Sequence, residues 1–314
     1  MIVDIVIFII AMSALVKGAD FVIEEASKIA LHFGISSFVI GATVVALGTS
    51  LPEMVASIIA SFKGHSELAV SNVIGSNIIN LALVLGLVFI IGKKLVPKRD
   101  IFKEDSAWAL FPILAFFLIT YDGIVSRFEG LLYLLMMVAY LIFLKNNVKE
   151  MLELEPDLQK EAKGKFDFLR TFLFLGIGFI LVIAGADFAV DSAANIARYF
   201  GVREWIIGLL LVAFGTSLPE LVVSLKAAKS GDADMAIGNV IGSNIANFTV
   251  VLGASALVNP LSLDLKATMF DILAALFLTV MLVFVAVNRL YVRSTGIVFL
   301  IFLALVLYHS IIGQ

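Results

Sequence analysis

Gly48-Thr49-Ser50-Leu51-Pro52-Glu53 lies inside a long apolar run, and the same six residues return 167 positions later as Gly215-Thr216-Ser217-Leu218-Pro219-Glu220. The offset holds well beyond the hexapeptide. Residues 40–86 fall on 207–253 without a gap, with 26 identities in those 47 positions, and Gly18-Ala19-Asp20-Phe21 falls on Gly185-Ala186-Asp187-Phe188. Shared apolar composition does not explain the match, because the best-matched residues are Gly, Pro, Glu, Ser and Asn. The chain is an internal duplication whose most faithfully repeated positions are polar.

The surroundings of these polar positions are not those of a soluble protein. The 314 residues are 61% hydrophobic and 15% charged, against ~45–50% and ~25% in soluble domains. Mean hydropathy is +1.08. This excludes a soluble enzyme, a nucleic-acid binder and a disordered chain. A net charge of −3 supplies no global field for steering a macromolecule. There is no cysteine, so disulfides and thiolate chemistry are excluded. His32, His65 and His309 are too dispersed for a zinc or copper centre.

A membrane span needs ~20 apolar residues. Ten such runs lie near 2–23, 36–62, 68–92, 106–122, 128–146, 168–190, 205–228, 235–258, 267–288 and 295–313. A polar linker, 148–166, separates residues 1–147 from 167–314. The expected fold is an all-α membrane protein: ten transmembrane helices in two five-helix repeats, with broken helices at the midplane. Five is odd, so the second repeat enters from the opposite side and the halves are inverted, a frequent plan for secondary transporters. Of the 22 Lys and Arg, 15 fall in the connections after spans three, five, seven and nine, and 5 on the other side, leaving aside Lys17 and Lys28. The positive-inside rule then puts the linker in the cytoplasm and both termini outside, in a multi-pass protein of the cell membrane.

Glu53 and Glu220 fall near the middle of spans two and seven, and Asn80 and Asn247 near the middle of spans three and eight. Pro52 cannot donate to the carbonyl four residues back, at Gly48. Carbonyls around Ala46, Leu47 and Gly48 are therefore expected to lose helical partners. A second half-helix would start with Ser50 as N-cap and Glu53 closing an S-x-x-E capping box. Capping alone is a weak reason for Glu53: an ionised carboxylate at the bilayer centre costs roughly 2.5–3.5 kcal/mol, while an N-cap returns ~1 kcal/mol. Neither glutamate has an obvious cationic partner in the sequence, so the two must hold protons or bind metal cations. Thr49 and Ser50 share a helical face with Glu53, and Ser76 shares one with Asn80. Thr216, Ser217, Glu220, Ser243 and Asn247 repeat the pattern. An all-oxygen set of this kind suits hard cations such as Ca²⁺ and Na⁺.

The paired G-T-S-L-P-E and G-S-N-I-x-N segments resemble the α-repeats of the Ca²⁺/cation antiporter superfamily, and within it the short prokaryotic sodium/calcium exchangers. The resemblance covers essentially the whole chain. It implies that Glu53 and Glu220, with backbone oxygens of Thr49 and Thr216, hold Ca²⁺. It implies flanking Na⁺ sites, one from the Ala46 carbonyl, Thr49, Ser50, Glu53 and Ser76, the other from the Ala213 carbonyl, Thr216, Ser217, Glu220 and Ser243. Asn80 and Asn247 complete the middle, and spans one and six slide across the other eight. Asn247 departs from the archaeal type, which has Asp there, so this core carries two carboxylates rather than three. The implied activity is electrogenic exchange of several Na⁺ for one Ca²⁺. No cofactor is expected, since both ions bind as transported substrates. The bilayer is the expected partner, without nucleic acid or an obligate protein.

Three other readings use the same residues. Ca²⁺/H⁺ antiport would let the two glutamates carry H⁺, but has no need of the four hydroxyls of Thr49, Ser50, Thr216 and Ser217. A channel can use Glu and carbonyls, but inverted halves argue for alternating access. An intramembrane enzyme would need a base beside Ser50 or Ser217, and neither His nor Lys is central. Asp122 reads as a turn cap before Gly123, and Asp20 and Asp187 as either caps or vestibule residues.

Overall fold

The computed structural model describes residues 1–92, 96–147, 166–199 and 215–312. They form eleven helical stretches: α1 (Ile2–Phe33), α2 (Ser37–Thr49), α3 (Leu51–Phe62), α4 (Ser66–Ile91), α5 (Ile101–Ile119), α6 (Arg127–Asn147), α7 (Phe168–Tyr199), α8 (Leu218–Lys229), α9 (Ala233–Val258), α10 (Leu265–Val287) and α11 (Arg293–Ile312). Six are long and apolar enough to cross a membrane, and the pair α2–α3, bent by 47°, makes a seventh. The all-α expectation needs one small amendment. Ile124–Val125 (β1) and Leu261–Ser262 (β2) pair antiparallel, clipping two connections together. Asp122 does cap its turn: it accepts from Ile124 N–H at 3.0 Å beside Gly123 at φ 77°.

α1 and α7 form an antiparallel pair. Asp4 meets Asn195, Gly18 abuts Gly178 and Val182, and His32 stacks on Phe166 at 4.1 Å. Lipid supplies no hydrophobic force between helices, so close backbone approach does that work. A Cβ on Gly18 or Gly185 would lie under 3 Å from the opposing helix. Two further glycine crossings, Gly86 with Gly296 and Gly130 with Gly253, join α4 to α11 and α6 to α9.

Two faces are defined by contacts between connections. On the linker face, Phe166 lies on His32, and the Arg99 guanidinium lies 4.8 Å from the Phe38 ring centre. Asp234 accepts from the Lys98 and Arg99 backbone N–H groups. Arg99 is buried and bonds Asp105 and Glu104, which fixes the entry to α5. On the opposite face, Ser61 donates to the Ser255 carbonyl at 2.6 Å and Asn259 to the Ser61 carbonyl at 3.3 Å.

Among the described residues, three stretches carry the wider π-helical turn: Gly41–Val45, Asn80–Leu85 and Asn247–Val251. Such turns are rare and concentrate at functional sites. The last two begin at the midplane asparagines picked from the sequence.

Candidate functional site

The break between α2 and α3 follows from local chemistry. Pro52 sits in the first turn of α3, where a missing N–H is tolerated. Gly48 leaves room for Phe179 of α7, whose ring occupies the place of a Cβ. Two expectations are corrected here. The Ala46 carbonyl is not freed, because it accepts from Ser50 N–H at 3.0 Å and from Thr49 Oγ1 at 3.2 Å. The capping box does not form either: Ser50 stands at the N-cap of α3, but its side chain makes no capping bond.

Its hydroxyl crosses to the other repeat instead. Ser50 Oγ donates to Glu220 Oε1 at 2.8 Å. Reciprocally, Ser217 Oγ, at the uncapped start of α8, reaches Glu53 Oε1 at 3.5 Å. A hydrogen bond to a buried charge is worth ~1.5–3 kcal/mol against ~1 kcal/mol for a cap, so the carboxylate wins the hydroxyl. Ser243 adds a second contact to Glu220 Oε1 at 3.5 Å. Ser76, its image, is buried but makes no such bond among the described residues.

Both glutamates are fully buried. Among the described residues neither pairs with a basic side chain, and no group of three or more His, Cys, Asp or Glu forms. Five oxygens in the candidate set have no hydrogen-bond partner among those residues: Glu53 Oε2, Glu220 Oε2, Asn80 Oδ1, Asn247 Oδ1 and Thr216 Oγ1. Unpartnered buried polar atoms are uncommon and costly. Asn80 and Asn247 each open a π-helical turn, packed against α8 and α3 respectively. Ala213 lies outside the described residues.

Other polar groups of this region belong to the repeat but were not singled out in the sequence. Asn72 donates to Ser57 at 2.8 Å, and its image Asn239 donates to Ser224 at 2.9 Å. Their identity across the 167-residue offset was the available signal. Asp20 is partly exposed and ion-paired: Lys226 of α8 contacts it at 2.5 Å and Lys17 at 3.8 Å. Asp187 is exposed and has no ion pair among the described residues.

Two facing carboxylates, neutral oxygens and no countercharge can hold a hard cation, which favours carboxylate, carbonyl and hydroxyl oxygen. Fold and site together define a multi-pass membrane protein with a buried, oxygen-lined candidate cation site. The family model for the sodium/calcium exchanger protein matches residues 3–145 and 170–312, and the chain belongs to the sodium/calcium exchanger family. It is 32% identical to the sodium/calcium exchanger MaX1 of Methanosarcina acetivorans, over 96% of each chain. It is 38% identical to the membrane protein MJ0091 of Methanocaldococcus jannaschii, over 93% of each. Among solved structures, the sodium-calcium exchanger NCX_Mj soaked with 10 mM Na⁺ and zero Ca²⁺ superposes with a TM-score of 0.82 at 34% identity, covering 98% of both chains. The same exchanger soaked with 2.5 mM Na⁺ and 0.1 mM Sr²⁺ gives 0.81.

Proposed function

We propose that this chain is a Na⁺/Ca²⁺ antiporter working by alternating access, with Glu53 and Glu220 as the central ligands. The observation that carries this is the reciprocal pair of serine–glutamate bonds. Each leaves one carboxylate oxygen fully buried and unpartnered, with no cationic side chain among the described residues to neutralise it. Ca²⁺ accepts ~6–8 oxygens and bidentate carboxylates. Asn80, Asn247, Thr49, Thr216, Ser50, Ser217, Ser76, Ser243 and the carbonyl of Ala213 are the further candidate donors. Na⁺ occupying overlapping oxygens would exclude Ca²⁺, which is the basis of exchange. Several Na⁺ moving against one Ca²⁺ would make the cycle electrogenic, in the direction of Ca²⁺ extrusion.

The topology supporting this is ten spans in two inverted halves, 1–147 and 167–314, with the 148–166 linker cytoplasmic and both termini outside. The antiparallel packing of α1 on α7 is what inversion requires of two equivalent helices. That pair would move against the rest between states.

The test is Ca²⁺ uptake into proteoliposomes loaded with Na⁺ and diluted into Na⁺-free buffer, beside a pH-gradient control. Uptake that needs the Na⁺ gradient and rises with an inside-positive potential is the expected result. Uptake driven only by the proton gradient would move the protein to Ca²⁺/H⁺ antiport on the same glutamates.

A further inference from the structure

The two repeats carry the same hydrogen-bonded pair of side chains, but the structure closes one copy and leaves the other open. In the second repeat, Asn239 Nδ2 donates to Ser224 Oγ at 2.9 Å. That bond turns Asn239 Oδ1 toward the first repeat, where it lies 3.3 Å from Thr49 Oγ1 and shares that hydroxyl's proton with the Ala46 carbonyl at 3.2 Å. Thr49, Asn239 and Ser224 are all fully buried. In the first repeat, Asn72 Nδ2 donates to Ser57 Oγ at 2.8 Å, the same bond at the same offset. There the similarity ends. Thr216, the image of Thr49, faces the Glu53 carboxylate instead, and no bond joins its Oγ1 to Asn72 among the described residues. The Asn72 amide reaches the Glu53 carbonyl at 3.3 Å instead, and Asn72 and Thr216 are both partly exposed.

The two asparagines lie on opposite sides of the glutamates. Asn239 is six residues into α9, whose first turn follows the Asp232 cap on the linker face. Asn72 is six residues into α4, which starts beside the Gly64 turn on the opposite face. The closed relay therefore lies toward the linker and the open one away from it.

We propose that Asn239 and Asn72 are positioning residues that close the two sides of the site in alternation, each by taking the hydroxyl of the other repeat's threonine. The state described here has the Thr49–Asn239 bond made and the Thr216–Asn72 bond open. Turning the site to the linker face breaks the first bond and makes the second. Each threonine hydroxyl then faces either its asparagine, on a closed side, or the ion path, on an open one. The inference rests on the exchanger reading of the same site and assigns the residues that set its sidedness.

The relays bias a two-state equilibrium, so their loss shifts apparent affinity by changing the fraction of the competent state. The test measures half-saturating Ca²⁺ at each face of oriented proteoliposomes, for the wild type, Asn239→Ala, Asn72→Ala and the double variant. Losing one buried hydrogen bond is expected to move the ratio of the two constants by roughly three- to ten-fold. Asn239→Ala should improve apparent affinity at the linker face relative to the other. Asn72→Ala should shift the ratio in the opposite sense, and the double variant should return it toward the wild-type value. Ser224→Ala, which only unlocks the orientation of Asn239, should repeat the Asn239→Ala shift in weaker form if the larger change impairs folding. Ratios that stay fixed, or move the same way in both single variants, overturn the proposal. A merely structural role would weaken both faces alike. Absence of any wild-type Ca²⁺ exchange would instead refute the functional reading on which it rests.

Discussion

Ser50 and Glu220 lie 170 residues apart in the chain and are joined by a 2.8 Å hydrogen bond at the centre of the protein. The bond from Ser217 to Glu53 is its image, longer at 3.5 Å. Substituting either glutamate with Gln is expected to abolish Ca²⁺ uptake in proteoliposomes, and full transport by either variant would refute its role as ligand. Ser50→Ala should weaken apparent Ca²⁺ affinity by roughly ten-fold, the loss of a charge-assisted bond. Ser217→Ala should weaken it less, in line with the longer contact.

Occupancy by the transported ion should stabilise the fold. At a Ca²⁺ concentration about a hundred times Kd, linkage gives ~2.7 kcal/mol. Detergent-solubilised protein should therefore melt at a higher temperature with Ca²⁺ than in chelator. The increment should vanish in Glu53→Gln, while the melting point in chelator stays unchanged or rises as a buried charge is removed.

Gly48 and Phe179 form a steric pair between the broken helix and α7. Gly48→Ala forces the ring aside, at a cost of ~1–3 kcal/mol for an overpacked site. Thermal melts should show the loss, and Phe179→Leu in the same chain should recover most of it. Failure of the second substitution to compensate would mean that Gly48 is needed for its backbone rather than its missing side chain.

Lys226 and Asp20 tie α8 to the α1–α7 pair on one side of the site, and Asp187 has no matching ion pair among the described residues. Both groups of the pair are about a third exposed, so the bond is worth at most ~1 kcal/mol. Lys226→Met and Asp20→Asn should each change the exchange rate by no more than about five-fold. The double variant should match the single ones, since both remove one interaction. Additive effects would show that the two residues act separately.

The membrane class and the duplication were legible in composition and in the 167-residue offset, because neither depends on tertiary contacts. The glutamates were legible because an ionisable residue at mid-span demands a reason. The destination of the Ser50 hydroxyl was not. Local sequence offers it Glu53 through a cap, and only the folded arrangement of the halves offers Glu220. The Ala46 carbonyl was misjudged for a related reason: Pro52 removes the donor to Gly48, but Ser50 still serves Ala46. The π-helical turns at Asn80 and Asn247 have no residue signature, since one extra residue in a turn leaves apolar composition unchanged. Asn72 and Asn239 were visible as identities but lacked a charge to draw attention. Lys226 reads as an end-of-span lysine until α1 is seen beside it.

The crossed serine–glutamate bonds bear on how such a protein can be divided. Each carboxylate is supplied by one repeat and oriented by a hydroxyl from the other, so neither repeat holds a finished site. A polypeptide carrying one repeat alone could make the same bonds only by meeting a second copy, packed antiparallel as α7 is on α1. The fused chain guarantees that encounter, and having two separate sequences lets the copies differ, as Lys226 differs from its counterpart Ile59.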